Sequence, residues 1–320
     1  MSDACKKTTS HAYLVEIKTE QDGQRLDNFL ITQLKGVPKS HIYRIVRKGD
    51  VRVNKGRIKP DYRLQVGDAV RIPPVRCSDT SEKDLVNPGA RVLQRLSNSI
   101  LYEDDGLLIL NKPSGIAVHG GSGLSYGAIE ALRVLYPNAP FLELAHRLDR
   151  DTSGCLMIAK KRSTLRRLHE LLRTGGMNKR YLALVKGRWQ GGSRTVNAAL
   201  RKNTLQSGER MVFVDEQGKE AITIFQPHTV YAEASLMHVT LMHGRTHQIR
   251  VHAKHINHPV VGDEKYGDDD FNRRMQEQGV KRLFLHAHSL AFQMPETGQK
   301  INTSAPLSAD LQQVLDNLAV

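Results

Sequence analysis

Apolar residues recur at helical spacing at Leu26, Phe29, Leu30 and Leu34. Val37-Pro38-Lys39-Ser40 then breaks the chain, and a second apolar face resumes at Ile42, Ile45 and Val46. This pattern predicts two short helices. The period drops to two at Val51-Arg52-Val53, which predicts a strand turning at Asn54-Lys55-Gly56, and Tyr62 to Ile72 is expected to return after a turn at Gly67-Asp68. Cys77 to Ser99 is polar, with Asn87-Pro88-Gly89, and reads as a connecting stretch. Beyond it strands and helices mix. Ile100-Leu101-Tyr102 and Leu107 to Leu110 predict a hairpin, and Cys155 to Ala159, Tyr181 to Val185, Ala221 to Phe225 and Leu236 to Met242 predict further strands. Ser163 is placed to cap a helix that carries Leu165, Leu168, Leu171 and Leu172 inward, and Thr246 to cap one with Ile249, Ala253 and Ile256. The expected class is α+β, a mixed or antiparallel sheet with helices packed on it. The expected division is an N-terminal extension (1–23), a small domain (24–85), a linker (86–99) and a large domain (100–320).

Charge sharpens this picture. The 320 residues carry a net +14, and residues 24–76 hold 13 Lys and Arg against 4 Asp and Glu, a net +9. An excess concentrated in one small block points to a polyanion partner. Arg25, Lys39, Arg44, Arg47, Lys48 and Arg52 are the expected contacts, since basic side chains on a helix pair grip phosphates without reading bases. No run reaches the roughly 18 apolar residues of a membrane helix. Residues 1–19 lack the apolar core of a secretory signal, so no membrane partner and a cytoplasmic location are expected. Cys5, Cys77 and Cys155 lie far apart, which fits a reducing compartment and neither a disulfide framework nor a zinc ribbon.

Four segments crowd polar residues where a core pattern would not. Asn111-Lys112-Pro113-Ser114-Gly115 runs on to Val118-His119-Gly120-Gly121-Ser122-Gly123, a shaped loop without phosphate-loop spacing. His146 to Gly154 reads His-Arg-Leu-Asp-Arg-Asp-Thr-Ser-Gly. By itself it could be a salt-bridged turn or, through Asp149 and Asp151, a metal-dependent phosphotransfer site. Lys179-Arg180-Tyr181 starts a strand with one phenol. Gly244-Arg245-Thr246-His247-Gln248-Ile249-Arg250-Val251-His252 opens a helix whose Arg250 borders the buried stripe. The histidines at 247, 252, 255 and 258 lack the carboxylate partner and spacing of a metal motif, so no metal is expected.

Two resemblances join these observations. Arg25-Leu26-Asp27-Asn28-Phe29-Leu30, Ser40 to Gly49, Val51-Arg52-Val53-Asn54 and Gly67-Asp68 resemble the alpha-L RNA-binding domain of a small-subunit ribosomal protein and many RNA-modifying enzymes. The four polar segments, with Arg282-Leu283-Phe284-Leu285-His286-Ala287, resemble the motifs of the RNA pseudouridine synthases from about Ile100 to Pro306. Asn111 to Gly123 and Lys35 to Ser40 are most similar to the C branch of the large-subunit (23S) ribosomal RNA enzymes. Cys155, where a branched aliphatic is usual, and Glu220, where proline is common, depart from the pattern without touching the chemistry. The resemblance implies a mixed, largely antiparallel sheet crossed by an active-site cleft, with Asp149 as nucleophile, Tyr181 as the strand tyrosine and Arg250 as the motif arginine. It implies ribosomal RNA, free or in a pre-50S particle, as partner, no cofactor, and a monomer.

Pseudouridine formation suits those residues. The ribose–N1 bond breaks, the base turns, and C5 bonds to the sugar, with no net redox change or water. The reaction needs a carboxylate near the sugar and a pocket that keeps the uracil. A guanidinium at Arg250 would keep a partly buried carboxylate ionised and oriented. Tyr181 is expected to stack on uracil and bring its hydroxyl near the sugar, as a base. Arg147 is expected to fill the gap left by the extruded nucleotide, with His119, Arg245 and His247 also facing substrate. Rival readings are the same chemistry on transfer RNA, a non-catalytic RNA-binding module, and a metal-dependent nuclease.

Overall fold

The computed structural model describes residues 11–34, 37–75, 88–120, 126–204 and 210–319. Cys5, Cys77, Lys35-Gly36, Gly121-Ser122-Gly123 and the side chain of Lys39 lie outside the described residues. The chain divides into two units, Met1–Val86 and Asn87–Val320.

In the first unit, strand β1 (Tyr13–Glu16) precedes helices α1 (Leu26–Gln33) and α2 (Lys39–Lys48), then strands β2 (Arg52–Val53) and β3 (Ala69–Ile72). The sheet order is β1-β3-β2, antiparallel throughout. The two apolar helix faces meet over it, burying Leu26, Phe29, Leu30, Ile42, Ile45 and Val46 against Leu64, Val70 and Ile72. Helix α2 ends at Gly49, whose φ of +80° suits a residue without Cβ. Buried Asp68 pins the last turn by accepting from Asn54, Tyr62 and the Gln65 amide. The expected N-terminal extension is corrected here. Tyr13 to Glu16 pairs residue for residue with Ile72 to Ala69, and Tyr13 and Val15 pack on the core.

The second unit opens with helix α3 (Ala90–Ser97), strands β4 (Ile100–Glu103) and β5 (Leu107–Lys112), and helix α4 (Ala128–Leu135). The expected linker to residue 99 is therefore also corrected. Leu96 is fully buried in the main core with Ile129 and Leu132 of α4, and Val92 and Leu93 pack against that cluster. Next come β6 (Glu143–Leu144), β7 (Ser153–Ala159), α5 (Arg162–Thr174), β8 (Met177–Lys186), β9 (Arg194–Asn197), β10 (Leu200–Thr204) and β11 (Arg210–Val214). The chain closes with β12 (Ile222–Val230), β13 (Ala234–Leu241), α6 (Gln248–His255), α7 (Asp269–Glu277), β14 (Leu285–Gln293), β15 (Lys300–Ser304) and α8 (Ala309–Leu318).

The large sheet runs β4-β5-β7-β14-β8-β13-β12-β9, with β15 on β14 and β6 on β7, while β10 and β11 form a separate hairpin. Its neighbours are antiparallel except β7 and β14, which run parallel at Ser153–His286 and Gly154–Ala287. The sheet is thus mixed and largely antiparallel, in an α+β molecule. Strand β7 and the second half of β8 are buried on both faces. One face of the sheet packs under α3, α4 and α6 with Leu156, Tyr181, Ala183 and Val239, and the other packs on α5, α7 and α8. That double burial explains the unbroken apolar run at Cys155 to Ala159. Two expected caps differ from the observed ones. Helix α5 starts after Lys161 with Ser163 inside it, and α6 starts after His247, neither with a side-chain cap.

Candidate active site

A loop, a strand and a helix deliver the polar segments to one end of the main core. The loop before β7 carries Asp149. Strand β8 carries Tyr181 on the face shared with Ala183 and Val185. Helix α6 follows β13 and turns Arg250 inward, leaving it only 9% exposed. A cleft of about 820 Å³ opens above them, lined by His119, Arg147, Asp149, His247, Arg250 and Asp263. A smaller hollow beneath Asp149 is walled by Tyr181, Leu241, Gln248 and Leu285.

The loop holding Asp149 is tied down by a buried lysine. Lys112, at the end of β5, is fully buried, and its Nζ donates to the carbonyls of Pro113, Ile116 and Arg150 at 2.8–3.0 Å. Burial pulls this ammonium down to about 7, while Asp151 and Asp149 draw it up. Ser114 Oγ donates to the Asp151 carbonyl, a further tie between the first and second segments. His146 Nε2 accepts the Met157 amide at 3.1 Å, fixing the loop's other end.

The guanidinium of Arg250 is shared unequally. Its Nε and Nη2 donate to the two carboxylate oxygens of Asp263, both at 2.7 Å, while Nη1 reaches Oδ2 of Asp149 at 3.4 Å. The Asp263 side chain is fully buried and that of Asp149 is 22% exposed. The main partner of Arg250 is therefore Asp263, and the expectation of Asp149 as its partner holds only for the longer contact. Burial alone would weaken the charge on Arg250, but Asp263 and then Asp149 outweigh it and leave the guanidinium more basic than usual. Burial likewise opposes a charged Asp263, yet Arg250 and the Tyr266 and Lys265 amides hold its carboxyl below the ordinary range. The Arg250 guanidinium also lies over the Tyr266 ring, 5.0 Å from its centre.

His247 flanks Asp149 from the other side, with Nε2 3.8 Å from Oδ2 and Nδ1 2.8 Å from the Tyr266 hydroxyl. Tyr181 is buried, and desolvation followed by the Asp149 charge pushes its phenol well above the ordinary range. Its proton is held more firmly, which works against a role as base and suits a stacking or donating role.

The remaining expected residues scatter around this centre. Arg147 and His119 are exposed on the cleft wall. Arg245 is exposed beside the smaller hollow and donates to the Glu220 carbonyl. His252 is spent on structure, bonded to Thr223 and the Ala198 carbonyl, as is His258 on the Lys186 carbonyl. Among the described residues no group of three His, Cys, Asp or Glu is arranged to hold a metal. In the first unit, Arg44, Arg47 and Lys48 line one shallow hollow with Ser40 and Tyr43. Arg25 is paired with Asp27 at 2.7 Å, and Arg52 donates to the carbonyls of Gly49 and Lys55, so these two are partly committed.

Sequence reasoning missed Asp263 and Tyr266. Their signal was there in Gly262-Asp263-Glu264-Lys265-Tyr266-Gly267, a polar run fenced by two glycines directly after the apolar Val260-Val261.

Comparison with known proteins identifies the family. Residues 106–255 match the RNA pseudouridylate synthase family, and residues 24–70 match the S4 domain. The chain is 55% identical to "Ribosomal large subunit pseudouridine synthase C" of Escherichia coli (strain K12), covering 98% of each chain. It is 54% identical to the protein of the same name from Haemophilus influenzae, over 98% of this chain and 97% of that one. Among solved structures, "Human RNA Pseudouridylate Synthase Domain Containing 1" is 26% identical with a TM-score of 0.56, covering 73% of this chain and 98% of its own. "Human RNA Pseudouridylate Synthase Domain Containing 4", 23% identical with a TM-score of 0.59, shares the fold. More than half of the residues shared along almost the whole length, on a sheet of the same kind, make this chain a member of the RNA pseudouridine synthases, isomerases of uridine in RNA.

Proposed function

We propose that the protein isomerises particular uridines of large-subunit (23S) ribosomal RNA, with Asp149 as nucleophile and no cofactor. The observation that carries this reading is the meeting of Asp149, Arg250, His247 and Tyr181 at one cleft end, from segments up to 101 residues apart. The relatives named for the large ribosomal subunit, similar over 98% of the chain, supply the substrate class. The target uridine leaves its stack and enters the cleft, and Arg147 on the exposed wall occupies the space it vacates, at a cost of a few kcal/mol for extrusion. Asp149 acts at the sugar while the C1′–N1 bond breaks. The uracil rotates against Tyr181, C5 bonds to C1′, and the C5 proton is lost as N1 gains one, so atoms and charge balance. Arg250 holds the carboxylate in orientation, and His119, Arg245 and His247 bound the space in which the base turns. Arg44, Arg47 and Lys48, with Arg25, Lys39 and Arg52, hold the RNA backbone through the first unit.

The test is release of tritium from C5 of labelled uridine in 23S ribosomal RNA with EDTA present. Release with an intact RNA chain supports the reading, and cleavage dependent on added metal overturns it. Asp149→Asn should abolish release while RNA affinity stays within a few fold. Normal turnover by this variant would remove Asp149 from the chemistry. Mapping pseudouridines in ribosomal RNA from a deletion strain identifies the target sites.

A further inference from the structure

Two contacts to the Asp149 carboxylate fall on the same oxygen. Arg250 Nη1 lies 3.4 Å from Oδ2 and His247 Nε2 lies 3.8 Å from it. Both of these groups are held by one loop. Asp263 grips Arg250, and three residues later Tyr266 grips His247. Tyr266 is 3% exposed, and its oxygen already accepts the Val212 amide at 3.0 Å. A buried hydroxyl left without an acceptor for its own proton is destabilising. Nδ1 of His247, at 2.8 Å, supplies that acceptor.

We propose that Tyr266 fixes His247 as the tautomer protonated at Nε2. This N–H and Arg250 then anchor Oδ2 of Asp149, which leaves Oδ1 as the oxygen that reacts. His247 and Tyr266 are thereby positioning residues for the nucleophile, and the inference rests on the reading of Asp149 given above. An imidazole whose Nδ1 accepts must carry its proton on Nε2, and Nε2 is the atom that faces Asp149. The neutral ring is favoured by burial, and by Arg250 and Lys265, over the opposing pull of Asp149 and Asp263. At 3.8 Å the contact is longer than a hydrogen bond, and such catalytic contacts shorten when substrate closes the site.

The backbone gives a second argument. His247 has φ +54° and ψ +20°, the left-handed conformation in which a non-glycine side chain is uncommon and costs energy. Asn tolerates that conformation better than most residues. A position chosen only for the backbone would do better with Gly or Asn, so the ring itself is what the site uses.

This yields a test in which structure and positioning predict opposite orders. The amide nitrogen of Gln overlays Nε2, whereas that of Asn overlays Nδ1. His247→Gln should therefore retain a clearly higher kcat than His247→Asn for tritium release from 23S ribosomal RNA transcript. His247→Asn, the better fit to the backbone, should lose about 10- to 100-fold in kcat with little change in KM, the equivalent of one hydrogen bond to a charged group. An Asn variant as active as the Gln variant overturns the proposal. Long-range proton–nitrogen spectra of histidine-labelled enzyme read the tautomer directly. They should show His247 protonated at Nε2 only, and Tyr266→Phe should abolish that preference. A proton on Nδ1 in an active wild type overturns the anchoring alone. A wild type that releases no tritium from this RNA overturns the function and the anchoring together.

Discussion

Asp263, more than Asp149, is the carboxylate that Arg250 keeps out of trouble. Its side chain is fully buried, and removing the guanidinium would strand it. Arg250→Leu should therefore cost about 3–5 kcal/mol in denaturant melts. Adding Asp263→Asn should recover part of that loss, while adding Asp149→Asn should recover little, because Asp149 retains contact with water. Equal recovery by both would show that the two carboxylates share the burden. His286 makes a second residue-scale case. It is 1% exposed, its Nε2 donates to the Ala305 carbonyl at 3.0 Å, and its Nδ1 accepts from Ser153 Oγ at 2.9 Å. Burial pulls it down to about 4, against an unfolded value of about 6.5. Between these values the unfolded chain binds the extra proton. Stability attributable to His286 is thus complete above pH 6.5 and is lost as pH falls toward 4, by at most about 3 kcal/mol. Melts of His286→Gln should start lower at pH 7 and fall less steeply with acid, and parallel curves would count against this.

At the scale of elements, the parallel pair β7–β14 is the joint on which the cleft depends. Gly154 has φ +107°, and a Cβ there would stand 2.3 Å from the Ala287 carbonyl oxygen. Gly154→Ala must part the two strands or distort the turn after Asp149. It should lower stability by more than the roughly 1–3 kcal/mol of a strained residue, with activity falling alongside. A variant as stable as wild type would mean the strands can separate freely. Much at this scale is legible in the sequence. The helical spacing of Leu26 to Val46, the hairpin at residues 100–110 and the strands at 155–159 and 181–185 all carry periodicity or length that burial enforces. The helix at Ala90–Ser97 is hidden by Asn87-Pro88-Gly89, turn residues that precede it rather than replace it. Thr246 looks like a cap because its side chain suits one, but the backbone turn at His247 decides where α6 begins. The polar run from Gly262 to Gly267 marks Asp263 as unusual without naming its partner. Nothing local to an aspartate distinguishes a buried partner of a distant arginine from an exposed one.

For the whole molecule, the concentration of charge in the first unit yields a prediction about RNA affinity. The first unit carries a net +9 over residues 24–76, with Arg44, Arg47 and Lys48 grouped on one helix. For every phosphate no longer gripped, the slope of log affinity against log salt should fall by about 0.7–0.9. Enzyme lacking residues 1–86 should therefore bind 23S ribosomal RNA more weakly and with a flatter salt dependence. An unchanged slope would place the RNA grip in the second unit. No helix among the described residues is long and apolar enough to cross a membrane.

The position of β14 also bears on how the protein is made. This strand, Leu285–Gln293, sits between β7 and β8, which precede it by roughly a hundred residues or more. A ribosome synthesising the chain from the N-terminus finishes both neighbours well before their shared partner emerges. Until then two apolar strands wait with unpaired edges, the condition that favours association with other chains. The first unit closes its core within 75 residues and can fold at once. The second must wait for nearly its full length, so the nascent chain completes its basic first unit long before the cleft that holds Asp149. Chains arrested at residue 280 should accordingly hold a protease-resistant first unit beside a protease-sensitive remainder, and resistance in both would show that the sheet closes without its central strand.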